Sequence, residues 1–295
     1  MPKPAETRTS SRRALALLSL LGGAALWGII WYPYRKLEQG GFGGAQATLI
    51  TYLIALAFAS MIRFRAWFEF RRQPLLMLGI ALAAGWSIVS YVVAVLQSEV
   101  VRVLLLFYLA PVWTLPLARV FLREAAPPAG YLVLGIAVAG AMLMLSDASD
   151  GLPLPHSLGD WLALSAGFAF ACSNILVRKA ELSGVMVKSM AVWVGTVVIA
   201  GLACALEPAA LLATPGQWLA HWPLLLGVGA SVLFMSLCVQ YGFTHLPANQ
   251  AMIILLFELV VAAAAAYWLA GETLSLRDWI GGAMIIAAGL CSDRL

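Results

Sequence analysis

Arg102 to Leu145 reads RVLLLFYLAPVWTLPLARVFLREAAPPAGYLVLGIAVAGAMLML, and Gln250 to Asp293 reads QAMIILLFELVVAAAAAYWLAGETLSLRDWIGGAMIIAAGLCSD. Sliding the sequence by 148 positions lays one on the other, placing Glu124 on Glu272, Gly135 on Ala283 and Ala139 on Ala287. Both follow one plan. An apolar helix (Val103 to Phe121, Met252 to Leu269) runs into a turn bearing Arg-Glu or Gly-Glu, then into a second apolar helix with small residues four apart. In lipid no hydrophobic force draws helices together, so small residues that let backbones approach supply the packing. A segment written twice at a fixed offset is a statement about architecture.

The repeat continues upstream at an offset of 143. Gly22 to Gly28 falls on Ser165 to Ala171, and Arg35-Lys36-Leu37-Glu38 falls on Arg178-Lys179-Ala180-Glu181. Apolar helices resemble one another by composition alone, but charged residues matching at matching helix ends need another reason. The chain is therefore expected to consist of two homologous halves, 1–146 and 147–295.

Hydrophobic residues make up 62% of the chain and charged residues 11%, with a mean hydropathy of +0.92. No stretch has the balance of a water-soluble domain, which predicts an all-α polytopic membrane protein with the lipid bilayer as its first partner. One crossing takes about 20 apolar residues, so a chain of 295 with short loops supplies about ten. A net charge of +4 and a pI of 9.0 would suggest nucleic acid in a soluble chain. Here they report loop arginines that set orientation, and no nucleic-acid partner is expected. Met1 to Arg13 is polar and basic, and the apolar run after it ends in Trp-Tyr-Pro-Tyr-Arg-Lys without a small-residue cleavage site, so it reads as a retained first helix. Cys172, Cys204, Cys238 and Cys291 lie in or at the ends of apolar runs, a pattern for neither disulfides nor metal. His156, His221 and His245 are scattered without ligand spacing, so no metal or cofactor is expected.

Spans are expected near 14–34, 45–64, 74–97, 100–121, 128–145, 158–179, 186–206, 221–243, 248–269 and 276–292. Pro33, Pro111 and Pro116 fall inside them or near their ends and predict kinks. Gly40-Gly41-Phe42-Gly43-Gly44 reads as a flexible loop, and with no strand before it a phosphate cradle is excluded. With the N-terminus inside, fourteen of the eighteen basic residues fall on the cytoplasmic side, leaving Arg35, Lys36, Arg102 and Arg277 outside. The positive-inside rule thus favours both termini cytoplasmic. Five spans per half is an odd number, so the second half enters the membrane upside down. Ten transmembrane helices in two inverted five-helix repeats is a plan of secondary transporters, with a substrate site between the halves near the midplane.

Trp27-Gly28 followed by Arg35-Lys36, Tyr108-Leu109-Ala110-Pro111-Val112 ahead of Arg123-Glu124, and Phe257-Glu258-Leu259-Val260 ahead of Gly271-Glu272 resemble the drug/metabolite transporter superfamily, of the EamA type. The resemblance covers nearly the whole chain. Its specificity lies in the order Trp-Gly, Pro-Val, Glu, glycine-rich helix, met twice. It departs at Leu259, where the family has a proline after the glutamate, which puts a kink there in question. The aromatic loading and the length resemble the YddG-type aromatic amino acid exporters within that superfamily. The resemblance implies a small-molecule exporter of a bacterial-type cytoplasmic (inner) membrane, not an enzyme. With no Walker motif, ATP does not drive it directly.

Helix faces point to the residues that could touch a solute. Trp86, Ser90, Val93 and Gln97 share one stripe of the third span, with Ser87 and Tyr91 at its edge. A polar stripe in lipid must face protein or water. On the first span Gly23, Trp27, Ile30 and Tyr34 form a stripe matched in the repeat by Ala166, Phe170, Ser173 and Val177, with Asn174 beside them. Ser231, Ser236, Gln240 and Tyr241 add polar positions on the eighth span, and Tyr108 sits mid-span on the fourth. A plainer reading holds for Trp31, Tyr32, Tyr34, Trp67, Trp218, Trp222 and Trp279, which stand near helix ends as interface anchors. It holds too for serines such as Ser87 or Ser165, which bond to their own backbone. Depth sets Trp27, Trp86, Tyr91 and Tyr108 apart.

Glu258 is the one deep ionisable residue in this reading. A charged carboxylate at that depth costs at least about 2.5 kcal/mol, so it must be protonated, paired or open to water. As a structural group it would cap a kinked helix or accept a hydrogen bond from Asn174 or Tyr241. As a functional one it would exchange protons or meet a substrate's ammonium. Its repeat partner Ala110 shows that the architecture itself does not require an acid. Aromatic faces with a few amide or hydroxyl groups suit a zwitterionic or neutral solute, and with no mid-membrane basic residue evident an anionic one is disfavoured. The candidate substrate-binding set is Trp27, Trp86, Ser90, Tyr91, Tyr108, Phe170, Asn174, Gln240 and Glu258. The expected function is export of neutral, preferentially aromatic, amino acids by rocking of the halves, with another small metabolite or drug as the alternative. A membrane enzyme would need a convergent nucleophile, base or metal set. A channel subunit usually builds its pore from several copies, whereas this chain carries its own two-fold.

Overall fold

The computed structural model describes residues 4–97, 100–124, 127–145, 155–206, 213–270 and 274–291, and the regular elements among them are all helical. They are α1 (Pro4–Gln39), α2 (Gly44–Ile62), α3 (Ala66–Glu69), α4 (Pro74–Gln97), α5 (Val100–Phe107), α6 (Ala110–Leu117) and α7 (Pro128–Leu145), then α8 (Leu158–Lys179), α9 (Val185–Leu206), α10 (Pro215–His245), α11 (Ala248–Leu255), α12 (Phe257–Ala265) and α13 (Leu276–Cys291). Among the described residues, seven helical segments are long and apolar enough to cross a membrane: Arg12–Gln39, Gly44–Ile62, Pro74–Ala94, Leu158–Lys179, Val185–Leu206, Pro215–His245 and Ala248–Leu269. Ala110–Leu122 and Pro128–Met144 are apolar but shorter. Two helices outrun their expected bounds. α1 begins at Pro4 because its polar first turns contain no breaker, and α10 begins at Pro215, where Thr214 and Gln217 form a capping box ahead of a first-turn proline.

Two rods are broken, and at the same place in the repeat. α5 stops at Phe107 and α11 at Leu255, positions 148 apart, and each rod ends in one π-helical turn, Ala118–Leu122 and Ala266–Ala270, again 148 apart. In the first rod Pro111 lacks the N–H that would bond the Phe107 carbonyl, and Pro116 the one that would bond Val112. The second has no proline, yet it breaks at Leu256, whose carbonyl accepts from Leu259 N–H at 3.0 Å in a tightened turn. An interruption of the helix is thus present three residues before Leu259, where the sequence put a kink in question.

Packing follows a two-fold pattern. α1 lies along α10 as α8 lies along α4, α1 crosses α11 and α12 as α8 crosses α5 and α6, and α2 and α9 meet each other. α7 runs along α13. Glycines mark the close crossings. A Cβ at Gly28 would stand 2.6 Å from the Glu258 carbonyl oxygen, one at Gly167 2.5 Å from that of Phe107, and one at Gly140 2.7 Å from that of Gly281. The small residues aligned by the repeat, Gly135, Ala139, Ala283 and Ala287, are instead exposed. α7 buries Leu134, Ala137, Gly140 and Ala141, because the approach to α13 is made where Gly140 and Gly281 let two carbonyls pass. The turn at Gly40–Gly44 is tied down as well. Phe42 is fully enclosed, 5.7 Å from the Trp218 ring and 5.8 Å from His221, and Gly41 takes a φ of +87° that favours glycine.

Candidate substrate site at the helix breaks

The breaks gather aromatic side chains. The Phe107 ring lies 5.0 Å from Tyr91, 5.5 Å from Tyr108 and 5.5 Å from Phe170, which stands 6.3 Å from Phe243. Tilted and edge-on rings at these separations attract through their quadrupoles. The Tyr108 hydroxyl donates to Glu258 Oε1, joining the two broken rods at their breaks, and the Tyr91 phenol lies in the field of the same carboxylate. Tyr108 is buried and Glu258 half-buried. Gly28 of α1 rests on the backbone of Glu258, and its neighbour Trp27 is half-buried against the main core.

Tyr91, Tyr108, Phe170 and Glu258 thus come together, with Ser90 buried next to Tyr91 on α4. Trp86 stands apart. Its Nε1 donates to Ser165 Oγ at 3.2 Å, and it remains 46% exposed. Ser165 also bonds back to Leu162 O, as expected of a helix serine, and so does Ser231 to Gly227 O. Asn174 donates to Met252 Sδ at 3.5 Å, and Gln240 is buried with its Oε1 unpartnered. Neither Asn174 nor Tyr241 binds Glu258. Tyr241 stacks on His245 at 4.1 Å, and the break turns Tyr108 toward the carboxylate instead. Helical periodicity passes over Phe107 and Phe243. For Phe107 a signal existed in Pro111, four residues on, which ends a continuous face. The side chains of Gln97 and Arg102, together with Glu272, lie outside the described residues.

The helix ends hold more enclosed charge than the sequence suggests. Lys188 on α9 is fully buried, its Nζ 3.3 Å from Thr244 Oγ1. Arg178 closes α8, donating from Nε to Glu124 Oε1 at 3.1 Å and from Nη1 to the Thr244 carbonyl at 2.9 Å. Glu124 Oε2 in turn accepts from Ala248 N–H at 3.0 Å. These cations lie in the terminal turns of α8 and α9, where the ends of α8, α10 and α11 fold over them, and not at mid-membrane depth. Glu258 lies ten residues along from Ala248, about 15 Å by helical rise, so the two charged groups are separate. Among the described residues no cluster of His, Cys, Asp and Glu could hold a metal ion.

A solved structure, a crystal structure of a protein, matches 94% of this chain and 96% of its own at a TM-score of 0.75 and 16% identity, a likeness of fold. A protein of Archaeoglobus fulgidus described as an uncharacterized transporter is 31% identical over 220 residues, covering 74% of this chain and 76% of its own. The model of the EamA-like transporter family matches residues 157–292, the stretch that runs from the start of α8 through α13. The chain belongs to the EamA-like transporter family of the drug/metabolite transporter superfamily, and is an integral membrane transporter of small molecules.

Proposed function

We propose that this transporter exports neutral amino acids, aromatic ones preferentially, across a bacterial-type cytoplasmic membrane by alternating access. The observation that carries the reading is the cluster of Tyr91, Phe107, Tyr108 and Phe170 around one carboxylate, Glu258, where both broken rods meet. Aromatic faces accept a flat apolar side chain, and the carboxylate meets an ammonium. The enclosed cations sit at the helix ends, well away from this cluster. Main-chain groups freed at a membrane helix break are tolerated where they line a cavity, which suits a substrate's polar end. Trp27 adds to the wall on α1, while Trp86, Asn174 and Gln240 stand further along the route.

The topology that goes with it is ten crossings in two inverted halves, 1–146 and 147–295, with both termini cytoplasmic. The recurrence of break and π-turn at one offset and the two-fold packing support it. The test is uptake into proteoliposomes holding only the purified chain, with a panel of amino acids as competitors. Phe, Tyr and Trp should compete best, and Trp86→Ala or Tyr108→Ala should weaken their transport without lowering the yield of folded protein. Transport unchanged in both variants would move the site elsewhere. For topology, a cysteine at Gln73 should react from inside and one at His156 from outside. Reaction of both from one face would overturn the span count.

A further inference from the structure

One end of the bundle is tied by side-chain bonds that join the two halves, the Glu124–Arg178 pair foremost. Glu124 follows the π-turn of the first broken rod, and Arg123 before it adopts a left-handed φ of +58°. That turn lets Glu124 N–H reach the Ala118 carbonyl at 3.2 Å while its carboxylate faces the other half. There one oxygen takes the Arg178 guanidinium at the end of α8, and the other takes Ala248 N–H, a donor that the start of α11 leaves without a helical partner. Arg178 also holds the Thr244 carbonyl in the last turn of α10, and Lys188 adds a second cation against the Thr244 hydroxyl. Ser183 bonds Gln73 at 2.9 Å alongside, which puts the α2–α4 connection at this same end.

We propose that the Glu124–Arg178 pair is a releasable latch that shuts this end of the substrate route, a step that rests on the two-half transporter reading above. Two observations set it apart from a permanent staple. The pair is only partly enclosed, with side-chain exposures of 29% for Arg178 and 26% for Glu124, so water can reclaim both charges when they separate. A fully buried pair could not part without stranding a charge. Between the latch and Glu258, moreover, the buried Gln240 Oε1 and Asn249 Oδ1 have no partner, and the Asn174 amide makes only its long contact to Met252 sulfur. A permanent seal in a membrane protein would be apolar, because dry amides cost free energy. Amides left without a protein partner when the end is shut gain a partner when it opens to water or substrate. The latch therefore holds the end carrying Arg63 to Arg72 closed, which is the cytoplasmic end in the proposed topology.

The test needs no knowledge of the substrate, so its failure is distinct from failure of the amino-acid assignment. In the full chain with its four native cysteines changed to Ser, Asn249→Cys serves as a reporter in membrane vesicles, probed by an impermeant maleimide from the Arg178 side. The parent should react slowly. Glu124→Gln and Arg178→Gln should each react about tenfold faster, the factor equivalent to losing about 1.4 kcal/mol of closure, with the melting temperature retained. From the opposite face, a Tyr91→Cys reporter should become less reactive in the same variants, since opening one end closes the other. Unchanged labelling at residue 249 overturns the latch, and so does unchanged labelling at residue 91, which would mean that the end has merely loosened. Should both glutamine variants fail to fold, Glu124→Cys/Arg178→Cys joined by a short bifunctional thiol reagent replaces them. Linking must stop substrate exchange and cleaving the linker must restore it, and exchange at the unlinked rate refutes the proposal.

Discussion

The two broken rods differ most at the point where they are most alike. α5 and α6 are interrupted beside Pro111, whereas α11 and α12 are interrupted with no proline near, and Glu258 stands where the first rod has Ala110. Both nevertheless break at the same repeat position and finish in the same π-turn. A shared feature with unshared local causes belongs to the architecture. α1 and α8 cross the rods at the breaks, with Gly28 against the Glu258 carbonyl and Gly167 against that of Phe107. The crossing accounts for the shared break, and the unlike residues, Tyr108 on one rod and Glu258 on the other, make the two rods chemically different there.

If the carboxylate is the functional difference, removing it should have the largest effect. Glu258→Gln keeps the shape and a hydrogen bond to Tyr108 but deletes the charge offered to a substrate ammonium. Losing one partner of a buried charge pair costs about 2–5 kcal/mol, so transport in proteoliposomes should fall about thirtyfold or more. The melting temperature should hold or rise, because a partly buried charge has been removed. The pH profile of transport should also flatten. Wild-type rates and an unaltered profile in this variant would make Glu258 a structural acid and erase the distinction between the rods.

Tyr108→Phe sharpens the same point from the other side. It keeps the ring against Phe107 and loses only the bond to Glu258. A hydrogen bond to a charged group is worth about 1.5–3 kcal/mol, which predicts a loss in transport of about tenfold or more. Tyr108→Ala should lose more, and selectively for aromatic over aliphatic substrates. Equal losses for Phe and Ala substitution would leave the ring without a role.

The crossings themselves can be broken by added volume. Gly28→Val and Gly167→Val each drive a side chain into a backbone carbonyl, and overpacking of this kind costs about 1–3 kcal/mol. Thermal melting in detergent should drop for both by similar amounts. Gly135→Val is the control, since a Cβ there meets nothing within 4 Å. A drop in only one of the pair would show that the two crossings are not equivalent.

The rods and their offset were legible in the sequence because charged residues punctuate apolar runs wherever a helix leaves the membrane. Glu258 was legible because an acid inside an apolar run has few reasons to be there. Face reasoning carried less far, since it assumes an unbroken helix. The break beside Pro111 resets the phase, so Phe107 and Tyr108, neighbours in sequence, both join the cluster, while Trp86 on its regular stripe stands apart. The repeat alignment likewise pointed to Gly135 and Ala283. Helices pack by surface position rather than by equivalence, and the contact fell to Gly140 and Gly281. The Glu124–Arg178 pair was illegible for the same reason, because nothing in one strand of text states which distant termini fold together.

The smallest effect is expected where intuition places a large one. In a continuous helix a proline costs about 3 kcal/mol, so replacing it would normally straighten and stabilise the rod. At residue 111 the rod is already divided, and α11 with α12 shows that the division persists without proline. Pro111→Ala supplies an N–H toward the Phe107 carbonyl, but that carbonyl faces Gly167 of α8, whose close crossing leaves no room for the rod to straighten. The variant should therefore melt within a shift equivalent to about 1 kcal/mol of the parent and transport within about twofold, in the range of substitutions that break no packing. A folded Pro111→Ala chain with transport largely lost would mean that proline, not the crossing helix, makes the first break. The two rods would then reach one shape by two causes, and the carboxylate would no longer be the difference that matters most between them.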